Sequence, residues 1–162
     1  MRTTIFSLSI ILLICLNNGG AIAQTTKTVG SGGDYATLHA AIYDVATGNL
    51  NGDIIFNIIS DITETNASII EKSGVSSWNY NSITIRPSGG VRKVNAGLTE
   101  PILCVAGSNI VINGRVNGIG GSNQLTFSNS SGPAINIINY YGVDNIALKY
   151  LYQTPITWTK KS

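Results

Sequence analysis

The sequence predicts an all-β fold, a parallel β-helix (solenoid) whose N-terminal end is closed by a capping α-helix. Short apolar strands follow one another with turn residues between them, and one helical pattern precedes them all. Pairs of these strands also recur after 27, 32 and 36 residues. A strand-turn-strand repeat of this length is typical of a solenoid, in which each coil contacts only its neighbours.

The chain begins with a segment that is typical of a signal peptide. Arg2 supplies a positive start, residues 5–16 are an apolar run, and residues 21–23 are the small residues of a cleavage site. The apolar run is shorter than the ~20 residues that a membrane span needs. We therefore expect cleavage after Ala23 and a secreted or cell-surface protein without a membrane span. A lipoprotein signal acylated at Cys15 is the alternative, and the bulky residue before that cysteine argues against it.

Charge and cysteine content narrow the functional classes. Charged residues make up 11% of the chain, far below the usual quarter. Without Arg2 the mature chain has nine cations and eight acids, a net charge of +1, and its basic residues adjoin only at Arg92-Lys93 and Lys160-Lys161. This charge favours neither nucleic acid nor an anionic membrane as a partner. The remaining Cys104 lies in an apolar run, which predicts a small buried hydrophobe and no reactive thiol.

The first element is a helix that follows a glycine-rich stretch. One apolar stripe predicts a helix from Tyr35 to Ala46, with Asp34 as its N-cap and Gly48 as its stop. From Gly30 the sequence G-S-G-G-D-Y departs from a nucleotide-binding loop at the third glycine, and no Lys-Ser or Lys-Thr follows. The glycines therefore indicate a tight turn before the cap. The single histidine, His39, is expected to pack on the helix flank in a structural role.

Strand patterns fill the chain after the helix. Each segment alternates apolar and polar residues, which places one face in a core. The predicted strands are residues 53–60, 82–88, 102–107, 109–114, 124–129, 134–139 and 145–151.

The strands also repeat. Residues 108–112 match 144–148, residues 102–105 match 134–137, and residues 81–85 are an earlier copy of the first pair. The insert at residues 113–124 is then a long loop of one coil. Asparagines at the strand ends could adopt left-handed turns and stack as side-chain ladders in successive coils; they are Asn81, Asn109, Asn113 and Asn145.

The start of the mature chain resembles a known family. The stretch "TVGSGGDYATLHAAIYDV", followed by "DIIFNII", "ITET" and "SITIRP", is similar to the start of right-handed parallel β-helix proteins of the pectin-lyase-like superfamily. Gly32 to Ile42 follow that family's helix-cap pattern, and the likeness extends from Thr28 to Leu151. The nearest likeness is to large secreted bacterial surface proteins. The resemblance implies a scaffold, an adhesin or a glycan-contacting surface, with a polysaccharide or cell-surface glycan as partner.

The catalytic motifs of that superfamily are not found in this sequence. Methylesterase aspartates, the polygalacturonase histidine motif and the lyase calcium ligands have no counterparts, so no catalytic, cofactor-binding or metal-binding residue is assigned. Asp61 and Glu64 could converge with Asp53 on calcium, but they are better interpreted as an exposed acidic turn. The alternative function is a fragment of a polysaccharide lyase, hydrolase or pectin-esterase-like enzyme whose catalytic residues lie downstream.

The division of the chain follows from these patterns. Residues 1–23 are the signal peptide, residues 24–151 the capped first coils, and residues 152–162 a tail outside the repeat. That tail indicates a truncated or frame-shifted end, or the first piece of a longer protein, and an open last coil that could support self-association. A further hypothesis is a small sugar-binding module that stacks glycans on aromatic rings; the rings are Trp78, Tyr80, Tyr140 and Tyr141.

Overall fold

The protein is a parallel β-solenoid of about four turns. The computed structural model describes residues 24–139, 142–153 and 156–160, and the predicted signal peptide therefore lies outside the described residues. Three parallel sheets run along the solenoid, and one helix, α1 (Leu38–Ala46), lies near its start. The predicted solenoid fold with a single N-terminal helix is confirmed.

Each turn contributes one strand to each sheet. The first sheet contains, in order, β1 (Thr25–Val29), β2 (Gly52–Ile58), β5 (Tyr80–Pro87), β8 (Ile110–Asn113) and β11 (Ile146–Lys149). The second sheet contains β3 (Ile62–Glu64), β6 (Arg92–Ala96), β9 (Leu125–Asn129) and β12 (Leu151–Gln153). The third contains β4 (Ser68–Ile70), β7 (Leu103–Val105), β10 (Ile135–Asn139) and β13 (Ile156–Lys160).

The register of the sheets confirms the predicted repeats. Ile110 pairs with Ile146, 36 residues later, and Leu103 pairs with Ile135, 32 residues later. Ile83 pairs with Ile110, 27 residues later. The insert of residues 113–124 is the loop between β8 and β9, and it contains a short 3-10 turn at Val116–Gly118. Unequal repeat lengths are therefore absorbed at the corners while the strands stay in register.

The core consists of apolar columns that run along the solenoid axis. Strand side chains alternate in direction, so every second residue points inward and stacks on its counterpart in the next coil. In the first sheet one inward column is Ile54, Ile83, Ile110 and Ile146, and the next is Phe56, Ile85, Ile112 and Leu148. All the members from β2, β5 and β8 are at most 1% exposed. Burial of these columns holds the coils together without a disulfide.

The helix begins three residues later than predicted. Its N-cap is Thr37, whose side-chain oxygen accepts a hydrogen bond from the Ala40 N–H at 3.2 Å. Asp34 instead accepts hydrogen bonds from the Thr28 N–H and hydroxyl, both at 2.7 Å. Because this carboxylate is engaged with β1, it does not cap the helix. The prediction of Asp34 as N-cap is therefore wrong, whereas Gly48 follows the helix end as expected, with φ of +79°.

The glycine-rich stretch is the predicted turn. The Gly30 N–H donates to the Tyr35 carbonyl at 2.8 Å, and the Gly33 N–H donates to the Gly30 carbonyl at 3.0 Å. Gly30 has φ of +124°, and a Cβ there would collide with the side chain of Ser60. The turn thus needs glycine both for its conformation and for the close approach of the first coil.

The turn leads into a cap on the first coil. Helix α1 packs against β3 and β4, the outermost strands of the second and third sheets at this end. Its buried face consists of Leu38, Ala41, Ile42 and Val45. Strand β1 adds one strand to the first sheet beyond β2. All three sheets are therefore covered or extended at the N-terminal end, as the cap prediction requires.

Several strands escaped prediction. Strands β3 and β4 have three residues each, and β6 has the sequence RKVNA, so none of them carries a clear alternating apolar pattern. Residues 152–162 were expected to be a tail outside the repeat. Instead, β12 pairs with β9, and β13 pairs with β10. The sequence "ITWTK" of β13 alternates apolar and polar residues, which suits the next position in the third sheet.

Candidate functional site

A small cleft lies beside the cap helix. It encloses about 110 Å³ between α1, β4 and the loop that precedes β5. His39 and Tyr43 from α1, Ser68 and Ile69 from β4, and Trp78 from the loop contribute to its mostly apolar lining. The cleft brings one histidine and one serine hydroxyl together, so it is the first place to test for catalytic geometry.

The contacts of His39 and Ser68 serve to hold the cap. His39 Nδ1 lies 2.9 Å from the Ala67 carbonyl oxygen and 3.3 Å from Ser68 Oγ. A carbonyl oxygen can only accept, so Nδ1 carries the proton of that hydrogen bond and cannot take one from Ser68. The arrangement therefore does not activate Ser68 as a nucleophile. It confirms His39 as a structural residue on the helix flank.

Glu64 is also part of the cap, which corrects the expectation of an exposed acidic turn. Its side chain is 2% exposed, and its carboxylate accepts hydrogen bonds from the Leu38 N–H at 2.6 Å and the His39 N–H at 3.3 Å. These N–H groups belong to the first turn of α1, where they have no partner within the helix. Burial raises the pKa of Glu64, and the two backbone hydrogen bonds oppose that rise.

The other two acids that could have formed a calcium site lie apart from Glu64. Asp53 Oδ1 accepts from the Ser82 hydroxyl at 2.6 Å, and Asp61 Oδ1 accepts from the Lys93 N–H at 2.9 Å. Within the described ranges, no three side chains of His, Cys, Asp or Glu converge as they would around a metal ion. These acids instead connect one coil to the next.

Two of the four aromatic residues proposed for sugar stacking are core residues. Trp78 is 6% exposed and Tyr80 is 3% exposed, and their rings meet edge to face with centroids 6.2 Å apart. The Tyr80 hydroxyl donates to the Glu71 carbonyl at 2.6 Å, and burial raises its pKa to about 12. Neither ring can receive a sugar. Tyr140 and Tyr141 lie outside the described residues.

Cys104 behaves as a partly buried packing residue. It lies at the centre of β7 between the buried Leu103 and Val105, and its own side chain is half-buried on the outer face of the third sheet. Burial raises the pKa of its thiol to about 11, with a smaller contribution from Glu71. The nucleophilic thiolate is therefore scarce at neutral pH.

The predicted asparagine ladder exists in part. Asn109 and Asn145 both have left-handed backbones, with φ of 60° and 58°, and the Asn145 side-chain amide donates to Asn109 Oδ1 at 2.9 Å. The column continues through Ser82 to Asp53 in the earlier coils. Asn81 precedes this column by one residue, and Asn113 ends β8, so the ladder prediction is wrong for those two.

A basic surface emerges where the first sheet meets the second. We use the term basic corner for Arg86, Arg92, Lys93, Arg115 and Lys149. Arg86 lies near the end of β5, Arg92 and Lys93 begin β6, Arg115 follows β8, and Lys149 ends β11. These residues are far apart in sequence, but they occupy the same corner of the second, third and fourth turns.

Two guanidinium groups of the basic corner are held in place. Arg86 Nε donates to Asn57 Oδ1 at 2.9 Å, and its Nη1 donates to the Asn117 carbonyl at 3.1 Å. The Arg115 guanidinium carbon lies 3.5 Å from the centre of the Tyr150 ring, a cation–π contact. Lys93 and Lys149 are exposed. The corner thus combines two fixed cations with two mobile ones.

Exposed tyrosine rings border the basic corner. Tyr152 is 60% exposed, and it lies in the second sheet two coils above Lys93, with Thr126 between them. Tyr150 is 37% exposed while it stacks on Arg115. A ring with an apolar face and a polar tip, next to fixed cations, can contact both the carbon framework and the charged groups of a sugar polymer.

Sequence reasoning did not find the basic corner. It recognised only Arg92-Lys93, because it looked for cations that adjoin along the chain. The signal lay in the repeat: the intervals of 27 and 36 residues carry Arg86 to Asn113 and then to Lys149, in one outward column. Aligning the coils before looking for charge clusters would have placed these cations together.

Comparison of the chain with protein-family models, with curated proteins and with solved structures finds no match. The pectin-lyase-like likeness therefore remains a prediction, and the parallel β-solenoid is what the structure establishes. Among the described residues, no helix is both long and apolar enough to cross a membrane.

Proposed function

We propose that this chain is a non-catalytic extracellular β-solenoid segment that contacts a glycan through its outer surface. The observation that carries the proposal is the basic corner with its bordering tyrosines, mounted on a scaffold of stacked strands. Parallel β-sheets in consecutive coils repeat every ~4.8 Å. Outward side chains are therefore spaced regularly along the axis, as a polymer of repeating sugars requires.

The rigidity of the scaffold supports a binding role. The inward columns beneath the corner are buried and apolar, and Arg86 and Arg115 are already oriented by contacts within the protein. Side chains that are ordered before binding lose less conformational entropy when a ligand arrives. Extracellular placement is supported by the sequence pattern of the first 23 residues.

A retention experiment tests this function. The secreted protein is passed over immobilised neutral and charged polysaccharides, and the eluates are analysed for released reducing ends, unsaturated uronides and methanol. We expect retention on at least one glycan without release of any product. Product release would favour the alternative of a polysaccharide-processing enzyme, whereas the absence of retention on every glycan would refute glycan contact.

A further inference from the structure

The distribution of charge singles out one corner of the molecule. Of the nine cations after residue 23, five belong to the basic corner. The acid that meets them is Asp61, through its hydrogen bond to the Lys93 N–H. The remaining four cations of the mature chain face seven acids. The corner therefore has a formal charge of +4 and the rest of the chain −3, so the field at the corner attracts anions.

The cations follow the solenoid axis. Arg86 pairs with Asn57 in the coil below, and its neighbour in the coil above is Asn113, which pairs with Lys149. Arg86 and Lys149 thus lie two coils apart, roughly 10 Å at the spacing of parallel strands. A linear polymer lying along the axis would meet a cation from each of these coils, together with Arg92 and Lys93 at its side.

The corner has more hydrogen-bond donors than acceptors. Within the described part of the chain, Arg92 Nε and Arg115 Nε are buried and have no hydrogen-bond partner. Buried donors are nearly always paired in native proteins, so such a shortage is uncommon. Oxyanions supply acceptors and charge together, and guanidinium groups bind carboxylate and other oxyanion groups through paired N–H donors.

We propose that the basic corner binds a linear polysaccharide that carries sulfate or carboxylate groups and lies along the solenoid axis. This inference rests on the proposed function and adds the ligand class and its direction. The fixed guanidiniums of Arg86 and Arg115 and the mobile ammonium groups of Lys93 and Lys149 bind the oxyanions. The exposed ring of Tyr152 contacts the sugar framework. Nucleic acid is less suitable because the mature chain carries a net charge of only +1.

Binding to defined probes tests the inference. The secreted protein is titrated with heparin as the sulfated probe, alginate as the carboxylated probe, dextran as the neutral probe and single-stranded DNA as the nucleic acid. We expect binding to heparin, alginate or both that weakens as salt rises, and that is stronger than binding to dextran or DNA. Comparison of heparin with alginate identifies the oxyanion.

Matched substitutions locate the site. The double variant Lys93→Gln/Lys149→Gln removes two exposed cations of the corner, and we expect about tenfold weaker binding. The control Lys27→Gln/Lys72→Gln makes the same charge change outside the corner and should bind as the wild type does. Equal losses in the two variants would show attraction by net charge alone and overturn the proposal.

The ring contact has its own variant. Tyr152→Ala alters an exposed side chain, so the fold should be retained, and binding to the anionic glycan should weaken about threefold to tenfold. If DNA binds as well as the anionic glycan, and Tyr152→Ala weakens neither, the ligand class is wrong. Retention on dextran without binding to heparin or alginate would overturn this inference and leave glycan contact standing. Failure with every glycan would refute both.

Discussion

The two ends of the solenoid treat the same kind of apolar column differently. At the N-terminal end, α1 and β1 cover the first coil, and Ile54 and Phe56 are at most 1% exposed. In the fourth coil, Ile146 and Leu148 continue the same columns but are partly exposed. Among the described residues, nothing packs over them as α1 packs over the first coil. The difference shows that an inward position is a full core position only when both neighbours are present.

The largest effect should come from shortening a column in its middle. Ile110→Ala removes a fully buried side chain with a coil on each side, and we expect a loss of about 2–5 kcal/mol in the free energy of unfolding. Ile146→Ala makes the same change in the fourth coil and should cost less than about 2 kcal/mol, since that site is partly hydrated already. Urea denaturation followed by circular dichroism measures both. Equal losses would mean that the fourth coil is as well packed as the third.

The cap should depend on Glu64. Glu64→Ala leaves the Leu38 N–H buried without its acceptor, and we expect a loss of about 1–3 kcal/mol in the free energy of unfolding. Glu64→Gln keeps an acceptor oxygen and serves as the matched variant. Hydrogen exchange of the α1 amides reports whether the loss lies at the cap. Unchanged exchange in Glu64→Ala would contradict the role assigned to this carboxylate.

Glu64 also predicts a pH dependence. Its pKa in the folded protein is raised above the ordinary value of 4.5, so the folded state holds the proton more tightly than the unfolded state does. Stability from this group is therefore greatest below pH 4.5 and falls as pH rises from 4.5 through the raised folded pKa. We expect the stability of the wild type relative to Glu64→Gln to decline across that window. A difference that rises with pH would contradict the assignment.

The smallest effect should come from the asparagine ladder in the open coil. Asn145→Gly keeps the left-handed backbone but removes the hydrogen bond to Asn109, and we expect a loss of about 0.5–1.5 kcal/mol. The measurement is chemical denaturation, with hydrogen exchange of the β11 amides as the local readout. Asn81→Gly changes an exposed asparagine outside the ladder and is the control for the loss of a side chain. Faster exchange only in Asn145→Gly would show that side chains outside the core also hold the fourth coil.

The accuracy of prediction differed with the length of the pattern. Strands such as β5 and β9 alternate over five or more residues and were found, as was the turn at Gly30. Strands β3 and β4 have three residues each and give periodicity nothing to act on. Glu64 was assigned to an exposed turn because its partners, the amides of α1, are 25 and 26 residues away in sequence. Local patterns cannot reveal a carboxylate that is paired by tertiary packing.

The candidate site was less predictable than the fold for a related reason. Strand alternation is written in neighbouring residues, whereas the basic corner is written once per coil. Trp78 and Tyr80 were selected as surface rings because aromatic residues at coil edges resemble ligand platforms, and their burial became visible only in three dimensions. Tyr152 was passed over because the tail that contains it carried no clear repeat.

The cap gives the stack a direction of assembly. The edges of β3 and β4 are covered by α1, so a new coil can use an existing coil as its template only at the opposite end. Assembly therefore proceeds one way, from the element that is synthesised first toward those that follow. Such a molecule can fold progressively as its chain emerges, with each completed turn acting as the nucleus of the next.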